Sequence, residues 1–292
     1  MSQTATVSVV IPTCNASPFL QKCVESVVEQ SHQPSQIIIC DDASVDGTQE
    51  IIKGLKNRYP DLVETIFHSE NLGISANFNS GFSRASGMYI SLIAGDDLWR
   101  KDKLRLELQA LQTTPKARWA YSDSYIIDEN GNYIDRFNRE HDGCEGAILF
   151  QVLTHQMTLR NWIAERALIQ EIGQFDERFQ IFEDWDYKIR LAQAAHIAHV
   201  ARENVAYRRH GNGISSSGGE LFFRNLKRVH EKHRRIIVGQ PLAKRKTIVA
   251  ETMNELKINL QRWRGESEST LTGYQYFYYL VSIRLRSLAA II

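Results

Sequence analysis

The amino-acid sequence predicts an α/β protein built around a mostly parallel sheet, and two observations support that prediction. Short, fully apolar runs such as VSVVIP (7–12) and QIIIC (36–40) have the length and composition of strands buried on both faces. Segments with apolar residues at helical spacing separate these runs, which is typical of βαβ units. Right-handed crossovers then place the carboxyl ends of the parallel strands along one edge, where open α/β sheets bind ligands.

Strands and helices alternate along the first part of the chain. The strands are predicted at 7–12, 36–40, 63–67 and 89–94, and the helices at 18–30, 47–59 and 74–85. In the first helix, Phe19, Leu20 and Cys23 begin an apolar stripe at helical spacing. Each helix can therefore cover one face of the sheet.

The pattern changes from about Arg118. The later segments are a hairpin at 119–134 with Asn130-Gly131 as its turn, a more helical stretch at 145–172, a loop and amphipathic helix at 175–194, a short strand and Gly/Ser-rich loop at 199–217, and helical patterns from Leu221 onward. We expect an α/β domain at 1–220 and a helical C-terminal extension at 221–292.

The composition is that of an ordinary globular protein. The 292 residues are 43% hydrophobic and 24% charged, which supports a large core and argues against disorder. The formal net charge of +1 gives no reason to expect a nucleic-acid partner. The four cysteines show no CxxC spacing, which favours free thiols in a reducing compartment. Because the chain opens on a polar stretch and no apolar run reaches roughly 20 residues, we expect a cytoplasmic protein.

Polar side chains follow three of the predicted strands at the point where each strand ends. The segments are PTCN at 12–15, DDASVDGT at 41–48 and GDD at 95–97. Acids at one strand end are explained by a solvated turn, whereas acids at two neighbouring strand ends converge in space. The sequence therefore places the functional site at this edge of the sheet.

The acids of DDASVDGT divide into two kinds. Asp46 and Ser44 are favourable residues for capping the following helix, and capping is the preferred interpretation of Asp46. Asp41 and Asp42 come directly after a buried strand, which favours a function. A carboxylate at that position can accept a hydrogen bond from an N–H group of a nucleotide base.

The adjacent acids Asp96 and Asp97 follow a buried strand and repel each other unless a positive group lies between them. Gly95 makes a simple turn tolerable. A divalent cation explains the pair better, because Mg²⁺ and Mn²⁺ take carboxylate oxygens and keep phosphate oxygens as further ligands. We therefore expect a site for a metal diphosphate here.

Two further segments carry charged side chains that have both a structural and a functional interpretation. Glu183, Asp184 and Asp186 open a helix, where acids favour the helix dipole, but aromatic neighbours also raise carboxyl pKa values and suit a general base. Arg208 and Arg209 lie with His210 in a loop that is either a solvated surface or a clamp on a leaving diphosphate.

The order of these motifs resembles that of the family-2 type of inverting glycosyltransferase. The matching segments run from VSVVIPTCN through IIICDDASVDGT, NLGISANFNSG, YISLIAGDDLW and FEDWD to YRRHGNGIS, and cover roughly residues 6–217. The resemblance implies a GT-A fold, a nucleotide-diphospho-sugar donor (UDP-, GDP- or dTDP-linked) and a divalent metal, Mn²⁺ or Mg²⁺.

The resemblance also implies roles for single residues. Asp184 matches the catalytic base, with Glu183 and Trp185 shaping the acceptor site. Asp96 and Asp97 match the end of a DxD-type element that contacts ribose and metal. The remaining matches are Pro12, Thr13 and Asn15 beside the nucleotide, Asp41 and Asp42 as the pair from which one acid reads the base, Asn79 at the donor, and His210 near the metal or diphosphate.

The chain departs from the family pattern at two positions. Ala94 stands where many relatives have an acid, so the choice of metal ligand between Asp96 and Asp97 is left open. Phe78 stands where many relatives have arginine. We expect the diphosphate contacts from Arg208 or Arg209 instead.

The C-terminal segment combines basic and apolar character. Residues 224–246 are strongly basic, and residues 271–292 have an apolar and aromatic stripe at helical spacing. Such a stripe packs on the protein's own core, on a partner subunit in a homo-oligomer, or on an anionic membrane surface at the inner face of the cytoplasmic membrane. The last arrangement suits a lipid-linked acceptor.

The sequence thus predicts a metal-dependent inverting glycosyltransferase that acts on a glycan or lipid-linked acceptor in cell-surface polysaccharide synthesis. One alternative is a non-catalytic module of an assembly complex that binds a nucleotide-sugar or glycan. Another is a sugar nucleotidyltransferase, which is disfavoured because PTCNASPF lacks a basic, glycine-rich phosphate loop.

Overall fold

The computed structural model describes residues 5–137, 143–154, 157, 159–210, 220–252 and 254. The strands are β1 (Val7–Thr13), β2 (Gln36–Asp41), β3 (Val63–Phe67), β4 (Tyr89–Leu92), β5 (Leu98–Trp99), β6 (Ala117–Ile127), β7 (Tyr133–Phe137), β8 (Ile163–Glu165) and β9 (His196–Arg208). The helices are α1 (Leu20–Val28), α2 (Thr48–Arg58), α3 (Ile74–Arg84), α4 (Lys103–Thr113), α5 (Leu149–Leu153), α6 (Arg166–Ile172), α7 (Glu183–Ala194), α8 (Glu220–Lys232) and α9 (Arg234–Val238).

The described strands form one sheet in the order β3-β2-β1-β4-β8-β6-β9-β5, with β7 paired to β6. The first four strands in this order are parallel, as the apolar runs predicted. The second half is mixed: β8 is antiparallel to β4 and β6, β9 is parallel to β6, and β5 is antiparallel to β9. The sheet is therefore less uniformly parallel than the sequence predicted.

Helices cover both faces of the parallel strands, which explains why β1 is buried throughout and mostly apolar. Val9 and Ile11 lie in a buried cluster with Leu20 of α1 and Leu104 of α4. Val10, one residue out of phase, faces α3, where a Cβ atom added at Gly81 would lie 2.3 Å from its Cγ1 atom. Only glycine permits the α3 backbone to approach the sheet this closely.

The second half of the sheet differs from the prediction in three respects. The three-residue strand β8 lies inside the segment predicted to be helical. Strand β9 has 13 residues rather than the short strand expected. The β6–β7 hairpin has Asp128 and Asn132 in a wider loop, with Ile127 opposite Tyr133, so that Asn130-Gly131 is not a two-residue turn.

The chain separates into two compact units, Met1–Leu149 with Gln156–Gly211, and Phe150–His155 with Asn212–Ile292. In the second unit α8 and α9 are followed by helical residues 242–252. The His230 imidazole is hydrogen-bonded to the Thr252 hydroxyl at 3.1 Å, and burial lowers its pKa to about 4. The predicted apolar stripe of 271–292 lies outside the described residues. Among the helices that the structure describes, none is long and apolar enough to cross a membrane.

Candidate active site at the carboxyl edge of the sheet

The loops after β1 and β2 are tied to each other. Asn15 adopts a left-handed backbone with φ of 50°, and its side-chain oxygen accepts a hydrogen bond from Val45 N at 2.9 Å. Its own N–H donates to the Ser44 hydroxyl at 2.8 Å. Asp46 accepts hydrogen bonds from Thr48 N at the start of α2 and from Ser17 N. These contacts lower the pKa of Asp46 to about 2. Asp46 therefore joins the loop after β1 to the first residue of α2, whose N-cap position is Gly47.

The two acids that end β2 make different contacts. The Asp42 carboxylate accepts hydrogen bonds from Leu72 N at 2.7 Å and Gly73 N at 2.9 Å, immediately before α3. Asp41 uses one oxygen to accept from Ser44 N at 3.1 Å and from Gln49 at 2.9 Å. Its other oxygen is buried without a partner in the described residues. Asp42 positions α3, whereas Asp41 retains an unused acceptor.

Two more buried polar atoms at this edge have no hydrogen-bond partner within the described part of the chain. They are the Thr13 hydroxyl at the end of β1 and the side-chain oxygen of Asn77 on α3. The Asn77 amide donates to the carbonyls of Thr13 and Cys40 at the ends of β1 and β2. Because buried polar groups are normally paired, these unsatisfied atoms are typical of a ligand-binding edge.

Asn79, which was expected at the donor, is hydrogen-bonded to the loop before α7. Its amide nitrogen donates to the carbonyl of Phe175 at 3.0 Å and to the carboxylate of Glu177 at 2.9 Å, and its oxygen accepts from Phe175 N at 2.8 Å. These contacts give Asn79 a structural role, joining α3 to the loop before α7. Asn77, two residues earlier on the same helix, is the asparagine at the sheet edge.

The loops after β1 and β4 pack in direct contact. A Cβ atom added at Gly95 would lie 2.7 Å from the Thr13 hydroxyl oxygen. The Gly95 N–H also donates to the Pro12 carbonyl at 3.2 Å. A side chain at position 95 would push the two loops apart. Glycine is therefore required for the predicted nucleotide segment (12–15) to contact the loop at 95–97, which we call the acidic loop.

Asp97 is an internal residue of this loop. Its side chain is 2% exposed and accepts hydrogen bonds from Arg208 N at 3.0 Å and from the Asn161 amide at 3.2 Å. Burial, followed by the neighbouring Asp96 carboxylate, raises the pKa of Asp97 to about 7. Both oxygens are thus engaged by protein donors, and Asp97 holds β9 and the segment before β8 against the loop.

Asp96 is the more exposed acid of the pair. Its side chain is 28% exposed, and one oxygen lies 3.0 Å from Nε2 of His210. The His210 ring in turn packs against Phe19, with ring centroids 4.9 Å apart. No group of three or more metal-ligating side chains occurs among the described residues. Asp96 and His210 nevertheless supply a carboxylate and an imidazole, which suit Mn²⁺. Water and phosphate oxygens would have to complete the shell.

The Arg208 guanidinium donates hydrogen bonds to backbone groups inside the protein. The residue is 3% exposed. Its Nε donates to the carbonyl of Asp96 at 2.8 Å, and its Nη1 donates to the carbonyls of Asp128 and Glu129 at 3.0 Å each. The guanidinium therefore joins the acidic loop to the β6–β7 hairpin, and the diphosphate contact expected of Arg208 stays a prediction. Arg209, by contrast, is exposed.

The two adjacent carboxyl groups at the start of α7, those of Glu183 and Asp184, have different environments. The Asp184 side chain is 51% exposed and forms an ion pair with Lys188 at 2.7 Å. Glu183 is half-buried, and desolvation together with the Asp184 charge raises its pKa to about 8. Trp185 is buried, edge-on to the Phe182 ring. The sequence predicted a carboxyl with a raised pKa in this motif, and the structure gives that property to Glu183.

An aromatic stack connects α7 to the acidic loop. Tyr187 lies parallel to Phe175 at 4.1 Å and to Trp162 at 5.6 Å between ring centroids. Trp162 directly follows Asn161, the residue that bonds Asp97. The packing therefore attaches the Glu183–Asp184 end of α7 to the same edge of the sheet as the acidic loop.

Two residues of this region, Arg160 and Asn161, were not identified from the sequence. Asn161 has a left-handed backbone with φ of 51°. The only sequence signal is an asparagine before an apolar run, which is also typical of an ordinary turn. Their proximity to Asp97 depends on the antiparallel pairing of β8 with β4.

Comparisons with known proteins agree with this geometry. TuaG of Bacillus subtilis, which carries the name of a teichuronic acid biosynthesis glycosyltransferase, is 26% identical over 77% of this chain and 89% of its own length. An uncharacterized glycosyltransferase of Nostoc is 32% identical over 44% of this chain and 40% of its own length. The crystal structure of Staphylococcus aureus TarS 1–349 in complex with UDP-GlcNAc superimposes with a TM-score of 0.68 at 18% identity, covering 85% of this chain and 72% of that one.

The family assignment rests on a match to a whole-domain model. The model for glycosyl transferase family 2 matches residues 8–183, which contain β1 to the start of α7 and most of the candidate site. The likeness to TarS gives the GT-A fold expected from the motif order. The chain belongs to glycosyl transferase family 2.

Proposed function

We propose that this protein is a metal-dependent inverting glycosyltransferase that moves a sugar from a nucleotide-diphospho-sugar to an acceptor hydroxyl. The observation that carries the proposal is the Asp96–His210 pair, 3.0 Å apart at the carboxyl edge of a family-2 sheet. At the same edge of the sheet, one buried oxygen of Asp41 has no partner among the described residues and is suited to an N–H group of the nucleotide base.

Asp96 and His210 would hold a divalent cation, Mn²⁺ or Mg²⁺. When bound, the cation supplies positive charge that stabilises the departing nucleoside diphosphate. Both oxygens of Asp97 accept hydrogen bonds, from the Arg208 N–H and the Asn161 amide, which makes Asp97 less suited to this role than Asp96. We therefore propose that Asp96 is the metal-binding acid and that Asp97 shapes the loop.

Asp184 is the proposed general base. Its partner Lys188 favours the charged carboxylate, and its exposure leaves room for an acceptor. Burial and the neighbouring Asp184 charge raise the pKa of Glu183 to about 8, which favours its protonated form and suits a positioning group better than a base.

The transfer step follows from this arrangement. A carboxylate oxygen of Asp184 takes the proton of the acceptor hydroxyl while the acceptor oxygen attacks the anomeric carbon. The bond from that carbon to the diphosphate oxygen breaks on the opposite side, and its electron pair leaves with the nucleoside diphosphate. Attack opposite to the leaving group inverts the configuration at the anomeric carbon.

The comparisons support the choice of substrate class. A TarS structure contains UDP-GlcNAc, which supports a UDP-sugar as the donor to test first, followed by GDP- and dTDP-sugars. The name of TuaG supports a glycan acceptor of cell-surface polysaccharide, either free or lipid-linked.

The experiment is a transfer assay with UDP-sugars in the presence of MnCl2 or EDTA, with the anomeric configuration of the product read by NMR. We expect donor-dependent thermal stabilisation in Mn²⁺ that EDTA removes, and a product of inverted configuration. Donor binding without hydrolysis or transfer to any glycan acceptor would instead indicate a non-catalytic binding module.

A further inference from the structure

Arg160 has a guanidinium held in place without hydrogen bonds. The group lies 3.7 Å from the centroid of the Tyr207 ring on β9 and 5.0 Å from that of Phe137 at the end of β7. Arg160 is half-buried. It forms no hydrogen bond or ion pair with any residue that the structure describes. Aromatic stacking uses the faces of a guanidinium and leaves its N–H edge available.

The position of Arg160 links it to the acidic loop. It directly precedes Asn161, whose side-chain amide donates a hydrogen bond to the Asp97 carboxylate at 3.2 Å. Tyr207, on which it stacks, directly precedes the Arg208–His210 segment that holds Asp96. Arg160 is therefore a cation at the border of the proposed metal-diphosphate site.

The alternative cations in this region are less suitable for binding a reactant. Arg208 donates three hydrogen bonds to backbone carbonyls and is 3% exposed. The Arg209 side chain is exposed. This residue contacts the sheet through a hydrogen bond from its backbone N–H to the Ile127 carbonyl. A pre-positioned guanidinium loses less conformational freedom on binding than a mobile one. Arg160 combines fixed position with unused donors.

We propose that Arg160 binds the diphosphate of the donor through its N–H edge and stabilises the leaving nucleoside diphosphate. This inference rests on the proposed function and names the residue that supplies the cationic diphosphate contact. The planar fork of arginine matches two phosphate oxygens at once. We prefer Arg160 to Arg208, whose Nε and Nη1 donate to backbone carbonyls of the acidic loop and of the β6–β7 hairpin.

The test measures ligand binding by calorimetry with Mn²⁺ present, using UDP, UMP and inorganic pyrophosphate as probes. We expect Arg160→Ala to weaken UDP and pyrophosphate binding about ten- to hundred-fold and UMP binding less. Arg160→Lys retains the charge without the fork and should lie between Arg160→Ala and the wild type. The control is Arg100→Ala, since Arg100 is an exposed arginine stacked on Tyr125 at 4.8 Å. It should bind all three probes like the wild type.

Equal UDP and pyrophosphate affinities for Arg160→Ala and the wild type would overturn the inference. Suppose that both affinities were unchanged and that only turnover fell when the acceptor concentration limits the rate. The Arg160 guanidinium would then bind an acidic acceptor rather than the donor diphosphate, which also contradicts the proposal. Failure of the wild type to bind UDP, GDP, dTDP or pyrophosphate in Mn²⁺ would refute the proposed function instead. Circular dichroism and thermal melting verify folding of each variant, and Arg160→Lys replaces the alanine variant should that one unfold.

Discussion

A buried ion pair behind the acidic loop gives the most quantitative prediction. Lys103 and Glu107 on α4 are both fully buried, and the ammonium lies 2.7 Å from the carboxylate. The ammonium also donates to the Ser91 hydroxyl on β4 at 3.3 Å, and the carboxylate accepts from the Ser122 hydroxyl on β6 at 2.8 Å. Lys103 also lies 4.1 Å from the centroid of the Trp99 ring. The pair thus joins α4 to two strands of the sheet.

Lys103→Met tests this pair. The substitution removes the charge but keeps most of the apolar volume against Trp99, and it leaves the buried Glu107 carboxylate with the Ser122 hydroxyl. Removing one partner of a buried pair costs about 3–5 kcal/mol in the free energy of unfolding. Replacing both partners, as in Lys103→Met with Glu107→Leu, should cost less, because no unpaired charge is left buried. Urea unfolding followed by circular dichroism measures both values.

The pH dependence gives this prediction a sign. Burial raises the Glu107 pKa and Lys103 opposes that shift, so loss of Lys103 raises the pKa further. The pKa of such a carboxyl is higher in the folded protein than in the unfolded chain, where it is about 4.3. Its contribution to the free energy of unfolding is fully present below the unfolded pKa and is lost as the pH rises through the folded pKa. Lys103→Met should therefore be closer to wild-type stability at pH 5 than at pH 8. A deficit below about 1 kcal/mol, or one independent of pH, would refute this reasoning.

The remaining predictions concern the site itself. Asp96→Asn should abolish the Mn²⁺-dependent stabilisation by UDP. Asp97→Asn should retain that stabilisation but lower the melting temperature of the protein. The reverse pattern in thermal melts would contradict the assignment of Asp96 to the metal and of Asp97 to the loop structure. Asn79→Ala should cost about 1–3 kcal/mol of stability and leave UDP affinity unchanged, as urea unfolding and calorimetry would show; a specific loss of UDP affinity would return Asn79 to the donor site. Gly95→Ala should separate the Thr13 loop from the acidic loop and weaken UDP binding at least ten-fold; wild-type affinity would show that the close approach is not needed.

The part of the fold that could be predicted from sequence is the part governed by local pattern. The bounds of β1 to β4 are confirmed within two residues. Strands β1, β2 and β4 are recognisable as apolar runs because both of their faces are covered, whereas β3 lies at the sheet edge and is only partly buried. Strand β8 could not be recognised, since three residues carry no periodicity. Strand β9 was underestimated because polar residues such as Arg202, Glu203 and Asn204 interrupt its apolar pattern.

The candidate site was predicted at the level of motifs, whereas the role of each residue depended on contacts distant in sequence. Asp96 and Asp97 are adjacent, and what separates them is contact with Asn161 and Arg208, which are 64 and 111 residues away from Asp97. The expectation that Arg208 or Arg209 contacts a diphosphate rested on the family motif and on Phe78, which stands where many relatives have arginine. Only the fold shows that the donors of Arg208 are used by carbonyl groups of two other loops.

The central claim, that α7 supplies the general base for a metal-dependent transfer, is tested most directly by single-turnover kinetics of Asp184→Asn with a UDP-sugar, Mn²⁺ and acceptor. We predict loss of transfer by at least about a hundred-fold with donor affinity unchanged, because the proposed role of Asp184 is to take the proton of the acceptor hydroxyl. Glu231→Gln is the matched control, since Glu231 is also an exposed acid in an i,i+4 ion pair, with Lys227 at 3.2 Å. It should transfer at the wild-type rate. Wild-type transfer by Asp184→Asn would contradict the account.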